Sequence, residues 1–137
     1  MISILFNYGN VGLLVLRLAL GVIFLAHALS KLKDLKANAQ GFEGMGFKPG
    51  GFWGTLVAIA ETLGSLSVLF GFYTQWGALV LAVVMVVSTL WKISHKQGLI
   101  GGFELDLILL ASALLLTTVP LGGIYSLDYY LFAQYLY

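Results

Sequence analysis

Four apolar runs dominate the chain, at about 11–29, 52–72, 76–93 and 104–121, and nothing between them is long enough to form a second core. Crossing the hydrocarbon of a bilayer takes about 20 mostly apolar residues in helical form. The runs are continuously apolar and lack the period-2 alternation of a membrane strand, so they read as helices. The charge content agrees. Only 9% of the 137 residues are charged and 60% are hydrophobic, whereas a soluble domain carries about 25% charged residues. The fold class expected is all-α: a four-transmembrane-helix bundle, antiparallel and up-down, in one domain over 1–137.

Several function classes drop out on the same numbers. A net charge of +1 offers no field to attract nucleic acid. The chain has no cysteine, which removes thiol–disulfide exchange and thiolate metal sites from its chemistry. It carries no HExxH, no Walker A and no strand-to-helix GxGxxG, and its two histidines lie far apart. Haem, flavin and metal are therefore not expected.

The connections set the topology. Residues 30–51 form the one long link; its GFEGMGFKPGG portion contains Pro49 and reads as a turn, not a long helix. Residues 73–75 read as a tight hairpin and 95–102 as a short loop. Lys31, Lys33, Lys36 and Lys48 follow the first run, and Lys92 and Lys96 follow the third. The positive-inside rule then places those loops in the cytoplasm and both termini on the non-cytoplasmic side of the inner (plasma) membrane. With no basic leader before it, the first run reads as a retained span and not a signal peptide. The tyrosine-rich tail 124–137 reads as an interfacial segment.

Ionisable groups inside spans cost about 2.5–3.5 kcal/mol each at mid-bilayer and so mark candidate sites. Arg17 and His27 lie in the first span, Glu61 in the second, and Glu104 and Asp106 open the fourth. Levelling the loop-facing ends of the first two spans puts Arg17 and Glu61 within roughly 6 Å in depth. That predicts an Arg17–Glu61 ion pair, either a structural lock or the lining of a proton or headgroup site. His27 either donates to a quinone carbonyl or relays a proton, or is simply hydrogen-bonded at headgroup level. Glu104 and Asp106 suit the positive end of a helix. Two residues apart, they point to different faces: one inward, the other toward the interface or Lys92 and Lys96. Lys31 is expected to snorkel to the headgroups, and His95 has no special role.

The order of these residues is similar to one known pattern. The stretch RLALGVIFLAHALSKL carries Arg17, Gly21, Phe24, His27 and Lys31-Leu32; Glu61 and Gly64 follow, then Leu69-Phe70-Gly71 and Thr74. Glu104 opens the last span, and the chain closes on Gly122-Gly123 and Ser126-Leu127-Asp128. Over roughly 13–130 this resembles the DoxX family of small four-helix bacterial membrane proteins. Ala28 stands where the family usually has glycine, and Ser65 where it often has a second one; both are small-for-small exchanges that preserve close packing. The resemblance implies a small subunit of a membrane redox system of the thiosulfate- or thiol-oxidising, quinone-linked type. A quinone would lie between the helices, with Arg17, His27, Glu61 and Glu104 as polar contacts, and Glu104 as the inward one of its pair. The partners implied are the bilayer and a larger protein complex, with oligomers allowed. The other readings are a non-catalytic structural or assembly subunit and a small proton-coupled transporter, the latter disfavoured because the two halves show no inverted repeat.

Overall fold

The computed structural model describes residues 8–135. The outermost residues of the expected tail, 136–137, and the segment preceding the first span, 1–7, lie outside this range. The described part is helical, with no strand among the described residues. Helix α1 spans Gly9–Lys33, α2 Leu35–Gly44, α3 Gly50–Phe70, α4 Thr74–Ser94, α5 Glu104–Thr118 and α6 Leu127–Phe132. Four stretches are long and apolar enough to cross a membrane: Gly9–Lys33, Gly50–Phe70, Thr74–Ser94 and Leu99–Thr118, the last kinked at Ile100 and Gly101 before α5.

Helix boundaries follow local chemistry. Helix α3 begins after Pro49, which holds the extended φ −73°, ψ 134° of an N-cap. It stops at Gly71, whose φ of 70° lets the amides of Gly71 and Phe72 both turn back onto the Ser67 carbonyl. That left-handed cap is what glycine permits at no Cβ penalty. Helix α2 starts at Asp34, whose carboxylate accepts from the Ala37 amide. The long link thus holds a ten-residue helix before the turn at Met45–Pro49. The expectation of a turn is met only in its second half.

Helix α1 packs on α3, α3 on α4 and α4 on α5, while α2 lies across the start of α3. The core between them is Leu20, Phe24, Val68, Ala78, Leu81, Ala82, Met85, Leu109, Ala113 and Leu116. Small residues allow the close approaches. A Cβ on Gly21 would run into the Leu69 side chain, and Gly64 and Gly77 face each other so that a Cβ on either lies 3.1 Å from the other's carbonyl oxygen. Where hydrocarbon surrounds the helices, such backbone proximity is what holds a bundle together. The two small-for-small departures sit in this packing: Ala28 and Ser65 are fully buried.

Large apolar side chains fill the outer faces instead. Val15, Val22, Leu63, Val83, Leu90 and Ile108 are all exposed. In water that surface would drive association; against lipid tails it is the ordinary exterior.

Candidate functional site

Polar chemistry gathers at the two ends of the bundle. At the end carrying the hairpin between α3 and α4, Arg17 is the organising group. Its side chain is 1% exposed. The Nε donates to the Val68 carbonyl at 3.0 Å, Nη2 to Leu69 at 3.2 Å, and Nη1 to Tyr125 at 3.0 Å and Gly122 at 3.5 Å. Val68 and Leu69 close α3, where the last carbonyls have no intrahelical partner and the helix dipole is negative. A planar guanidinium with five donors suits that task.

Asp128 does the reverse at the same end. Its carboxylate accepts from the amides of Tyr73 at 2.6 Å and Thr74 at 2.7 Å, the residue before α4 and its first, and its own amide donates to the Gly71 carbonyl at 2.7 Å. An acid on the orphan amides of a helix start is the favourable placement. Ser126 caps α6 by accepting from the Tyr129 amide and donates to the carbonyls of Leu121 and Gly123. The tail is thereby anchored at its start. It is locked onto the hairpin through Ser126 and Asp128, both of which are buried.

The opposite end holds two ion pairs. The Lys31 ammonium donates to both oxygens of Glu61, at 2.6 and 2.8 Å. Glu61 is 2% exposed and is the twelfth of 21 residues in α3, so a carboxylate sits near mid-helix. Lys31 reaches it from the last turn of α1, with 26% of its side chain exposed. The Lys92 ammonium donates to Asp106 Oδ1 at 2.9 Å and to the Gly102 carbonyl at 3.3 Å, and Ser88 Oγ donates to Asp106 Oδ2 at 2.6 Å. Around them, the Trp91 indole donates to the Met45 carbonyl and the Asn38 amide to Gly54, tying the α2 region to the spans.

Three expectations are corrected by this geometry. Arg17 and Glu61 do not pair: Arg17 engages residues seven and eight positions beyond Glu61, roughly 10 Å further along α3. The depth estimate failed because the loop-facing helix ends are not level. Helix α1 continues to Lys33, and the first turn of α3 extends past it to meet α2, with Asn38 on Gly54 and Ala39 against Gly50. Second, Lys31 does not simply snorkel; it is the partner of Glu61. Third, Asp106 and not Glu104 is the inward acid. Glu104 is exposed and accepts from the Gly101 amide at 3.0 Å. The inward acid is itself the one that binds Lys92, because α5 starts beside the last turn of α4.

His27 is exposed, and its Nδ1 lies 2.8 Å from the Ile23 carbonyl. Of Arg17, His27, Glu61 and Glu104, no two are joined by a hydrogen bond or ion pair among the described residues. No group of three or more His, Asp or Glu suitable for a metal ion occurs among them either. Sequence reasoning passed over the role of Asp128, whose partners Tyr73 and Thr74 lie more than fifty residues away in the chain.

These features define a small four-span membrane protein whose intramembrane charges are consumed in pairs or in helix caps. The chain belongs to the DoxX family, whose model matches residues 12–95. It is 28% identical over 105 residues to "Putative oxidoreductase CatD" of Bacillus subtilis (strain 168), covering 77% of this chain and 76% of that protein. It is also 28% identical over 120 residues to "Inner membrane protein YqjF" of Escherichia coli (strain K12), covering 87% and 91%. No solved structure matches the chain.

Proposed function

We propose that this chain is a small subunit of an inner-membrane redox system, with its lysine-bearing end in the cytoplasm, and that it holds a quinone-class acceptor at the Lys31–Glu61 pair. The observation that carries the reading is that pair. A carboxylate near mid-span is expensive in hydrocarbon and marks a functional site by default. Here a quarter of its partner's side chain is exposed and Glu61 takes two of the three ammonium donors, so an incoming carbonyl oxygen can take the third while Glu61 keeps the ammonium in place. His27 lies one turn before Lys31 on the same face of α1. Its Nδ1 faces a carbonyl, so the neutral ring donates there and leaves Nε2 as an acceptor able to pass a proton. The names of the two relatives, an oxidoreductase and an inner-membrane protein, support the same direction. With no cysteine in the chain, electrons reach the acceptor from a partner protein.

The test is titration of the purified chain in nanodiscs with a short-chain ubiquinone and a short-chain menaquinone. Saturable binding that is lost in Glu61→Gln and Lys31→Met, with helicity retained, is the expected result. Absence of saturable binding by the unaltered chain overturns it.

One set of contacts favours a second reading, a structural or assembly subunit. Arg17 and Asp128 both bond to backbone groups and tie the end of α3, the hairpin and the tail together. On that reading Lys31–Glu61 is a third lock, and the chain co-purifies with its partner complex whether or not Glu61 is charged.

A further inference from the structure

We infer that the hairpin end carries a binding site for an alkylammonium group, walled by Tyr73, Trp76 and Phe132 over the Asp128 carboxylate. An open cavity of about 260 Å³ lies there, lined by Tyr73, Gln75, Trp76, Leu121, Asp128 and Phe132. Three aromatic rings and one acid make up most of that lining, and no lysine or arginine contributes to it. The Tyr73 and Phe132 ring centroids are 6.3 Å apart and tilted by 59°, so the two rings form adjoining walls.

Among the described residues, the charge at the floor has no ion-pair partner. The ion pairs among the described residues are Lys31–Glu61 and Lys92–Asp106. Asp128 is 5% exposed, and each of its oxygens accepts one amide, leaving each a further lone pair. Arg17 lies at the same end but directs its donors to four backbone carbonyls. Gln75 donates its amide to the Thr117 carbonyl, so its own carbonyl oxygen remains an acceptor. Acidic floor, aromatic walls and spare acceptors together suit an ammonium group, the chemistry of an aromatic cage.

A second, independent observation concerns the backbone. Three non-glycine residues have positive φ among the described residues: Tyr73 at 50°, Lys96 at 57° and Leu121 at 54°. Two of the three line this cavity. Bulky residues in that region cost about 1–3 kcal/mol each, and such strain concentrates at ligand sites. At Tyr73 the left-handed turn is what carries the ring out beside Phe132.

The cavity is smaller than a site for a drug-sized ligand, so it takes a head group only. That group is an ethanolamine or choline ammonium, from a phospholipid of the surrounding leaflet or free in solution. The site stands apart from Lys31–Glu61, at the other end of the bundle, and does not rest on the quinone reading.

Two arms separate the sources. In the first, the full chain in nanodiscs of phosphatidylglycerol is titrated calorimetrically with choline and with its uncharged isostere 3,3-dimethylbutan-1-ol. In the second, the lipid retained after purification from mixed phosphatidylethanolamine–phosphatidylglycerol nanodiscs is measured by mass spectrometry. Saturable binding of choline over the isostere supports a free ligand. Enrichment of phosphatidylethanolamine without choline binding supports the lipid. Either signal is expected to fall between about threefold and thirtyfold in Trp76→Leu and Phe132→Leu, which keep apolar bulk at the interface, and further in Asp128→Asn. Should Asp128→Asn fail to fold, the two leucine variants decide. Neither signal in the unaltered chain, or a signal that both leucine variants retain in full, overturns the proposal.

Discussion

The buried charges fall into two kinds, and each kind predicts a different response to substitution. Glu61 is buried with one partner, Lys31. Removing only the lysine leaves an unpaired carboxylate in hydrocarbon, a change that costs about 3–5 kcal/mol for a fully buried pair and less here because Lys31 is partly exposed. Lys31→Met is therefore expected to lower Tm in detergent by several degrees. The double variant Lys31→Met/Glu61→Leu is expected to recover most of that loss, since apolar replacement of a whole buried pair is close to neutral. Thermal unfolding followed by circular dichroism checks both; a double variant as unstable as the single one would show that the pair does more than satisfy itself. Arg17 is the other kind, bonded to four carbonyls on two segments, the end of α3 and residues 122–125. Lysine keeps the charge but lacks the planar fork. Arg17→Lys is expected to lose at least two of the hydrogen bonds, each worth about 1.5–3 kcal/mol when the donor is charged, and to unfold well below the parent. A variant of parental Tm in the same assay would contradict that account.

Among the elements, α3 is the one on which the others assemble: α1, α2 and α4 all pack on it. Its contact with α4 passes through Gly64 and Gly77, where backbone meets backbone. Gly77→Leu is expected to force the two helices apart. Overpacking of this kind costs about 1–3 kcal/mol, and here it also strains the Ser67 side chain, which a Cβ at that position meets. Leu79→Ala, on the exposed face of the same helix, is the control and is expected to leave Tm within about a degree. The spans themselves were legible in the sequence because apolar content over about 20 residues is a sum of many small terms. Predicted ends fell within four residues of those observed for 11–29 and 52–72, and even the short third run proved to be a full 21-residue helix. Helix α2 was obscured by the three glycines and one proline of the segment 41–49. The pairing of side chains was not legible. It depends on how far one helix slides along another, and four residues of error at a helix end already displace a side chain by about 6 Å. Arg17 and Glu61 were matched wrongly for that reason, and Asp128 was missed because the amides it caps, Tyr73 and Thr74, lie more than fifty residues away in the chain; only Ser126, which caps Tyr129 three residues on, acts where spacing is a safe guide.

For the whole molecule the open physical question is which way it sits, and the asymmetry of charge gives a definite expectation. All six lysines, at 31, 33, 36, 48, 92 and 96, belong to one end of the bundle. Two of them are occupied in ion pairs, and Lys33, Lys36, Lys48 and Lys96 remain exposed around them. At the other end the sole cation among the described residues is Arg17, which is buried and contributes nothing to the surface. Lysine-rich short loops are retained on the cytoplasmic side, and the anionic lipids of that leaflet attract each free lysine by about 1 kcal/mol. The lysine end is therefore expected inside. Because the chain has no cysteine, a single introduced thiol reports its own side without background. Lys36→Cys and Lys96→Cys should react with a membrane-impermeant maleimide only after the membrane is opened, while Gln75→Cys and Tyr130→Cys, exposed at the hairpin end, should react in intact cells or spheroplasts. The reverse pattern would invert the topology. It would also put the Lys31–Glu61 pair on the outer half of the bilayer, where a cytoplasmic electron donor could not reach an acceptor held there, and it would leave the aromatic cage facing the cytoplasmic leaflet. Labelling at both ends from one side would mean a mixed population, which a four-lysine surface bias of this size does not allow.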